Sequence, residues 1–341
     1  MVLAVDARDL ASDHRGLGRY ARAVVRKLLN RSDVDLVLLV DAVLPILKRK
    51  ALSAALRSES TFRVASAVPA DAMAVWHPWN MIFFKSALPS ILTIADVAPF
   101  RFPAADQKRR IHQQMPFRDG LSQATSIITI SQASAQDIAI YLGGDRSRIS
   151  ITYPGVDPSF TPGEADALPD CLKGQNYFLF VGDPTEERKN FATLYKAFQQ
   201  AWPTLDGPKI AVVGARGAAP PGVVHLPIVK DTVVRALYRG ALATCVPATY
   251  EGFGMPVAES MACGTPVIAS NASSLPEVAG DAGILLDPLD IKAWRNAMQE
   301  IIRDPALRVT LSNRGIAQAA QFTWDRCAEQ TLTVCYNAAR Q

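Results

Sequence analysis

The chain has 341 residues, 49% hydrophobic and 20% charged, with a formal net charge of +4. That length favours two domains, and the balance excludes a disordered or low-complexity protein. Five cysteines with no C-x-x-C pair and no close histidine argue against a disulfide framework or a zinc site.

In chain order, residues 2–7, 35–41, 74–77, 90–96 and 125–131 are apolar runs of strand length. Helical stretches separate several of them, among them Arg19 to Leu29 and residues 133–143. In the second of these, Ser134 followed by Asp137 resembles a capping box with a shortened acid. Residues 153–170, YPGVDPSFTPGEADALPD, are dense in proline, glycine and acid and read as a linker. The alternation then restarts, with strands at 177–183, 209–215, 223–229, 243–248, 265–270 and 282–288. Helices are expected after Lys189, after Asp231, from Pro256 to Cys263, from Ile291 to Arg303 and from Trp324 onward. This pattern predicts an α/β protein of two doubly wound sheets with a cleft between them, and ligands at the strands' C-terminal ends.

Charge is uneven. Residues 1–160 carry 20 Lys and Arg against 14 Asp and Glu, leaving 16 against 18 for the rest. Arg19, Arg22, Arg26 and Lys27 interrupt apolar residues at helical spacing, as either a solvated face or a surface for an anionic membrane. No aromatic-rich basic groove accompanies them, so nucleic acid is not an expected partner. The opening MVLAVDARDL lacks the charged and apolar order of a signal peptide, and no window reaches the roughly 18 apolar residues of a membrane span. A cytoplasmic protein, at most peripheral on the inner face of the cytoplasmic membrane, is the expectation.

Four stretches bear on chemistry. GLGRYA (16–21) matches a dinucleotide fingerprint, with Asp41 ending the next strand, but eight residues separate Gly16 from the preceding strand. Gly16 and Gly18 still allow backbone to approach a phosphate at a helix start. Asp33-Val-Asp35 has the spacing of a cation-holding pair, yet it leads an apolar strand, and no other carboxylate cluster supports a metal. In VGDPTEERKN (181–190), Arg188 and Lys189 arrive just before a helix and suit a diphosphate; flanked by Glu186 and Glu187, they also read as surface cations. YEGFGMPVAES (250–260) places Glu251 before a turn and Glu259 one helical turn past Met255. The pair reads either as a helix cap and a solvated position, or as two acids directed at a polyhydroxylated ligand. In the second reading Phe253, Gly254 and Met255 supply amides at a positive helix end, since Pro256 suits the first turn.

YEGFGMPVAESMACGTPVIAS followed by SLPEVAGDAGILLDP resembles the signature of retaining glycosyltransferases of family four, with its glutamate, seven residues, glutamate motif. GLGRYARAVVRKLL, ILTIADVAPFRFP, ITYPGVDPSF, YFLFVGDPTEERKNFATLYKAF and ALYRGALATCVPATYEGFG resemble further blocks in the family's order. The resemblance implies a GT-B fold, two Rossmann-like domains facing across a cleft: an acceptor domain at 1–158, joined by a C-terminal helix at 325–341, and a nucleotide-sugar domain at 159–324. It implies Glu259 on the ribose, Glu251 on the sugar hydroxyls, and the amides of Phe253, Gly254 and Met255 on sugar and phosphate. Arg188 and Lys189 would clamp the diphosphate with help from Gly16 and Gly18, and Ile228 and Val229 would meet the base. His77 matches a family histidine, and Asp96 follows Ala95 where the family usually has a histidine; His77 and Asp96 are candidate sugar or acceptor contacts. Asp183 stands where some relatives carry a diphosphate-binding cation.

The implied activity is retaining, metal-independent and cofactor-free transfer from a nucleotide-diphosphate sugar to a glycan or lipid-linked acceptor in envelope or exopolysaccharide assembly. A catalytically weak partner protein that binds nucleotide sugar is the alternative.

Overall fold

The computed structural model describes residues 1–43, 45–58, 60–204 and 206–340. They divide into two compact units, one of Met1–Gly155 with Thr323–Gln341 and one of Val156–Phe322. Each is built on a single all-parallel sheet.

In the first unit the strands are β1 (Val2–Asp6), β2 (Asp35–Leu39), β3 (Arg63–Ala65), β4 (Ala74–His77), β5 (Ser90–Thr93), β6 (Ser126–Thr129) and β7 (Ile149–Ile151). Their order is β3-β2-β1-β4-β5-β6-β7. Alternate residues feed two separate cores, as the strand period of two requires. Leu3, Val5, Leu36, Leu38 and Trp76 pack with the helices Gly16–Leu29 and Trp324–Ala338, while Ala4, Val37, Leu39 and Val75 meet Ala72 and Phe84 on the other face.

The second unit holds β8 (Tyr177–Val181), β9 (Lys209–Val213), β10 (Val223–Leu226), β11 (Ala243–Val246), β12 (Val267–Ser270) and β13 (Ile284–Leu286), ordered β10-β9-β8-β11-β12-β13. This is the order of the doubly wound dinucleotide fold. Phe178, Phe180, Ile210, Val212 and Cys245 face the helices Phe191–Ala201 and Ile291–Arg303. Tyr177, Leu179, Ala211 and Val213 face Leu237 and Tyr238 of the helix Asp231–Gly240. In both sheets the strand order reverses beside the first strand, between β1 and β4 and between β8 and β11, which opens a crevice at the strands' C-terminal ends.

Two local expectations change. The helix Gln132–Leu142 is capped by Ser131, whose hydroxyl accepts from the Ser134 amide at 2.9 Å, so the cap lies three residues before Ser134. Asp137 does not close a capping box, for its carboxylate takes Arg101 at 3.2 Å. On the basic helix Gly16–Leu29, Arg19 is exposed and the other three cations are engaged. The Arg22 guanidinium donates to the Leu10 and Asp13 carbonyls, Arg26 donates to the Leu56 carbonyl, and Lys27 pairs with Asp325.

Candidate functional site

The turn after β8 and the loop after β11 lie side by side at the switch point of the second unit. Gly182 leaves β8 at φ +147°, and a short turn, Glu187–Lys189, delivers Arg188 and Lys189. Asn190 then adopts the left-handed conformation, φ 52°, before the helix Phe191–Ala201. Its amide nitrogen donates to the carbonyls of Pro247 at 3.0 Å and Pro288 at 2.7 Å. The Thr249 amide donates to the Arg188 carbonyl at 2.8 Å. These bonds stitch the cation turn to the glutamate loop.

Across that seam Lys189 Nζ lies 2.6 Å from Glu251 Oε1, and Arg188 Nη1 lies 3.3 Å from Glu251 Oε2. Arg188 also pairs with Glu186 at 2.7 Å. Glu251 is 8% exposed, so one buried carboxylate fixes two cations at the mouth of the crevice. Its backbone is fixed in turn. The Ser273 hydroxyl lies 2.7 Å from the Glu251 carbonyl, and the Ser274 hydroxyl lies 2.9 Å from it and 2.7 Å from the Phe253 carbonyl.

Gly254, at φ +107°, begins the helix Met255–Ala262 with no side-chain cap among the described residues, and Pro256 occupies its first turn. A Cβ at Gly254 would stand 2.7 Å from Leu275 Cδ2, so both backbone and space demand glycine. Among the described residues the Gly254 and Met255 amides have no hydrogen-bond acceptor, and they stand at a positive helix end. The helix-cap reading of Glu251 is therefore corrected, because its side chain serves Lys189 and Arg188. The solvated reading of Glu259 is corrected as well: it is 4% exposed, and its Oε2 accepts from the Tyr238 hydroxyl at 3.1 Å.

Ile228 and Val229 follow the end of β10; Ile228 is 83% exposed, an apolar surface at a strand's C-terminal edge. Asp183 turns back on its own loop, accepting from the amide and the hydroxyl of Thr185, which hold its carboxyl below the usual range. Asp33 and Asp35 sit at the N-terminal start of β2, the opposite edge from the crevice, paired with Arg31 and Arg63.

In the first unit, a cavity of about 630 Å³ opens beside the ends of β1 and β4, lined among others by Asp9, Asp13, His14, Arg15, Trp79 and Asn80. Gly18 serves packing there, since a Cβ would stand 2.0 Å from the Asp13 carbonyl oxygen, whereas a Cβ at Gly16 meets nothing within 4 Å. Asn80 is oriented by the Ala95 amide, which donates to its Oδ1 at 3.0 Å. His77 and Asp6, both fully buried, end β4 and β1 with Nδ1 and Oδ2 3.8 Å apart, and neither His77 nitrogen has a hydrogen-bond partner among the described residues. Burial opposes ionisation of Asp6, but the neighbouring His77 and Arg8 outweigh it and hold the carboxyl below its usual value. Asp96 accepts from the Ala98 amide at 2.9 Å, at the start of the short helix Ala98–Arg101.

Residues 171–318, which contain the whole Arg188–Lys189–Glu251–Glu259 arrangement, match the model of the family described as Glycosyl transferases group 1. The chain is 30% identical over 278 residues to the O-antigen chain mannosyltransferase B of Escherichia coli, covering 76% of this chain and 73% of that protein. It is 31% identical over 236 residues to the D-inositol 3-phosphate glycosyltransferase of Mycolicibacterium smegmatis, covering 62% of this chain but about half, 52%, of that one. Among solved structures, sucrose-phosphate synthase from Thermosynechococcus elongatus aligns with a TM-score of 0.72 at 19% identity, covering 99% of this chain and 98% of that chain. Anabaena HepE in complex with UDP-glucose aligns at 0.70 and 15% identity, covering 100% and 99%. The two doubly wound sheets thus make up a GT-B fold, and the chain belongs to the group 1 glycosyl transferases.

Proposed function

We propose that this glycosyltransferase moves a sugar, with retention at the anomeric carbon and without a metal or cofactor, from a nucleotide-diphosphate donor to a glycan or lipid-linked acceptor in envelope or exopolysaccharide assembly. The observation that carries the reading is the meeting of Lys189 and Arg188 with Glu251 beside the amides of Gly254 and Met255. Departure of a nucleoside diphosphate builds negative charge on phosphate and positive charge on the sugar. Cations and amides already in place act where the leaving-group charge develops, so their binding energy enters the rate. Glu251 positions both cations and offers oxygens to sugar hydroxyls; Glu259, steadied by Tyr238, takes the ribose diol; Ile228 and Val229 lie against the base.

Retention without a carboxylate nucleophile is read as attack on the face the phosphate leaves, with a phosphate oxygen taking the acceptor proton. The cavity beside β1 and β4 supplies the acceptor with acids for hydroxyls. Ala95, where the resembling family has a histidine that meets the donor's hydroxymethyl, is read as space left either by a 6-deoxyhexose or pentose donor in place of a hexose, or for a group of the acceptor. The relatives' names, an O-antigen mannosyltransferase and a protein solved with UDP-glucose, support glycan assembly and a nucleotide-sugar donor in general.

The test is nucleotide diphosphate release across a panel of nucleotide sugars, each hexose beside its 6-deoxy counterpart, repeated with three variants. Lys189→Ala and Glu251→Ala should each lower turnover by about 100-fold, the scale of about 3 kcal/mol seen when one charge-stabilising donor is lost. Glu259→Ala should chiefly raise donor KM. Equal activity in all three variants overturns the assignment, and faster turnover of the hexose overturns the deoxy-donor choice.

A further inference from the structure

We propose that Asn190 is a positioning residue for the donor's diphosphate: its side chain fixes where Arg188 and Lys189 stand relative to the loop that carries Glu251. This rests on the reading in which those two cations meet the diphosphate. Three non-glycine residues have positive φ among the described residues, Arg57, Asn190 and Ser273. Two of the three lie beside the ion pair of Lys189 and Glu251, and backbone in a sparsely populated conformation is kept there by its surroundings. Ser273 holds the glutamate side of the pair through the Glu251 carbonyl. Asn190 holds the cation side. An asparagine at this position ordinarily caps the helix that follows, yet among the described residues its side chain makes no cap bond to Phe191–Ala201. Its two amide hydrogens go instead to the carbonyls of Pro247, directly after β11, and Pro288, two residues after β13. Its Oδ1 accepts from the Thr193 hydroxyl at 2.8 Å.

One side chain thus ties the turn after β8 to two other loops on the same edge of the sheet. Lys189 immediately precedes the left-handed residue, so any rotation at Asn190 swings the lysine backbone. The lysine stem is flexible, and where its ammonium can reach is set by where that backbone is held. Without the Asn190 bridges, the registration of the cation turn on the glutamate loop rests on the Thr249 amide at the Arg188 carbonyl and on the cations' own side chains. Cations stabilise a departing phosphate fully only when they already stand in place. Asparagine meets both demands at once, because it tolerates a left-handed backbone and offers two donors from one group.

The test compares the full-length wild type with Asn190→Asp and Asn190→Gly. Aspartate keeps the shape and the turn but sets an acceptor against two carbonyls; glycine keeps the turn and removes the bridges. Calorimetry gives the affinities of the mono- and diphosphates of uridine, guanosine, adenosine and thymidine. For the nucleoside that binds, the wild type should prefer the diphosphate. Both variants should lose about tenfold or more in diphosphate affinity, the scale of one misplaced charge-assisted hydrogen bond, with monophosphate affinity nearly unchanged. In a background lacking both cations, Arg188→Ala with Lys189→Ala, the Asn190→Asp change should add little, since it acts through them. Without ligand, exchange of the Thr249 amide should quicken in both variants while β8 and β9 stay protected. Equal losses for mono- and diphosphate, an undiminished diphosphate preference in either variant, unchanged Thr249 exchange, or a full further loss in the cation-free background overturns the proposal and leaves the cation clamp standing. A wild type with no preference for any diphosphate over its monophosphate overturns the clamp and this proposal together.

Discussion

Ser274 is fully buried, and its hydroxyl lies within reach of two carbonyls, those of Glu251 and Phe253. A hydroxyl carries one proton, so the partition that satisfies both carbonyls gives Glu251 to Ser273 and Phe253 to Ser274. Ser274→Ala should then leave a buried carbonyl short of a partner, at a cost of about 1–3 kcal/mol in stability. Because the affected backbone carries Glu251 and precedes Gly254, donor KM should rise with turnover much less changed; a denaturant titration and initial-rate kinetics check both parts. Thiol chemistry gives a second reading at this scale. Burial pushes the thiols of Cys263, Cys327 and Cys335 up to about 12 and raises that of Cys245 further, whereas Cys171 is exposed. At pH 8 an aromatic disulfide reagent should label one thiol quickly in the folded protein and five after denaturation, and Cys171→Ser should abolish the fast phase. Lys189 and Glu251 were noticeable in the sequence as charges beside a glycine turn and a proline-started helix, although their pairing with each other was not. Ser273, Ser274 and Asn190 were not, because their work is done on backbone carbonyls distant in sequence. Small polar residues in a loop look the same whether or not they hold another loop in place.

Elements with an apolar period were readable, and those without one were not. β1, β4 and β11 announced themselves as unbroken apolar runs because both faces of a parallel strand are covered. The helix Gln107–Gln123 buries only Phe117 and Gly120, turns Ile111 and Met115 outward, and contains Pro116, so no helical period survives. The helix Pro305–Ala319 buries Leu311, Gly315 and Ala319. Its close approach depends on a glycine, since a Cβ at Gly315 would come within 3.2 Å of Met261, and glycine is what a propensity reading takes as evidence against helix. Caps obey the same rule of local ambiguity. Ser131 and Ser134 are both plausible starts by composition, and only the extended backbone of Ser131, φ −161° and ψ 162°, selects between them. Ser131→Ala should therefore cost about 1 kcal/mol in unfolding free energy, and Ser134→Ala distinctly less, with equal losses contradicting the assignment.

At the scale of the whole chain, the last segment decides which unit is self-sufficient in sequence. The chain leaves the first unit after Gly155 and returns to it at Thr323, so the helix Trp324–Ala338 belongs to a core whose other members precede residue 156. Cys327, Ala328, Leu332, Cys335 and Ala338 are buried there among Val24, Leu28 and Trp76. Tyr20 stands edge-on to Trp76 at 6.5 Å and to Trp324 at 6.2 Å, and the Tyr336 hydroxyl donates to the Asp33 carbonyl at 2.9 Å. At about 1.5–3 kcal/mol for each large side chain withdrawn from water, Leu332 and Val334 alone contribute several kcal/mol, a large share of the about 5–15 kcal/mol that holds a typical domain folded. The second unit, Val156–Phe322, draws no strand or helix from that segment. Removing the chain from Thr323 onward should therefore abolish slow hydrogen exchange in β1, β2 and β4 to β6 while β8, β9, β11 and β12 remain protected. A nucleoside diphosphate that raises the melting temperature of the full chain should still raise that of the surviving unit, because Arg188, Lys189, Glu251 and Glu259 all lie within it. Loss of protection in both sheets together would mean that the units fold as one and that the helix stabilises more than the core it is packed in.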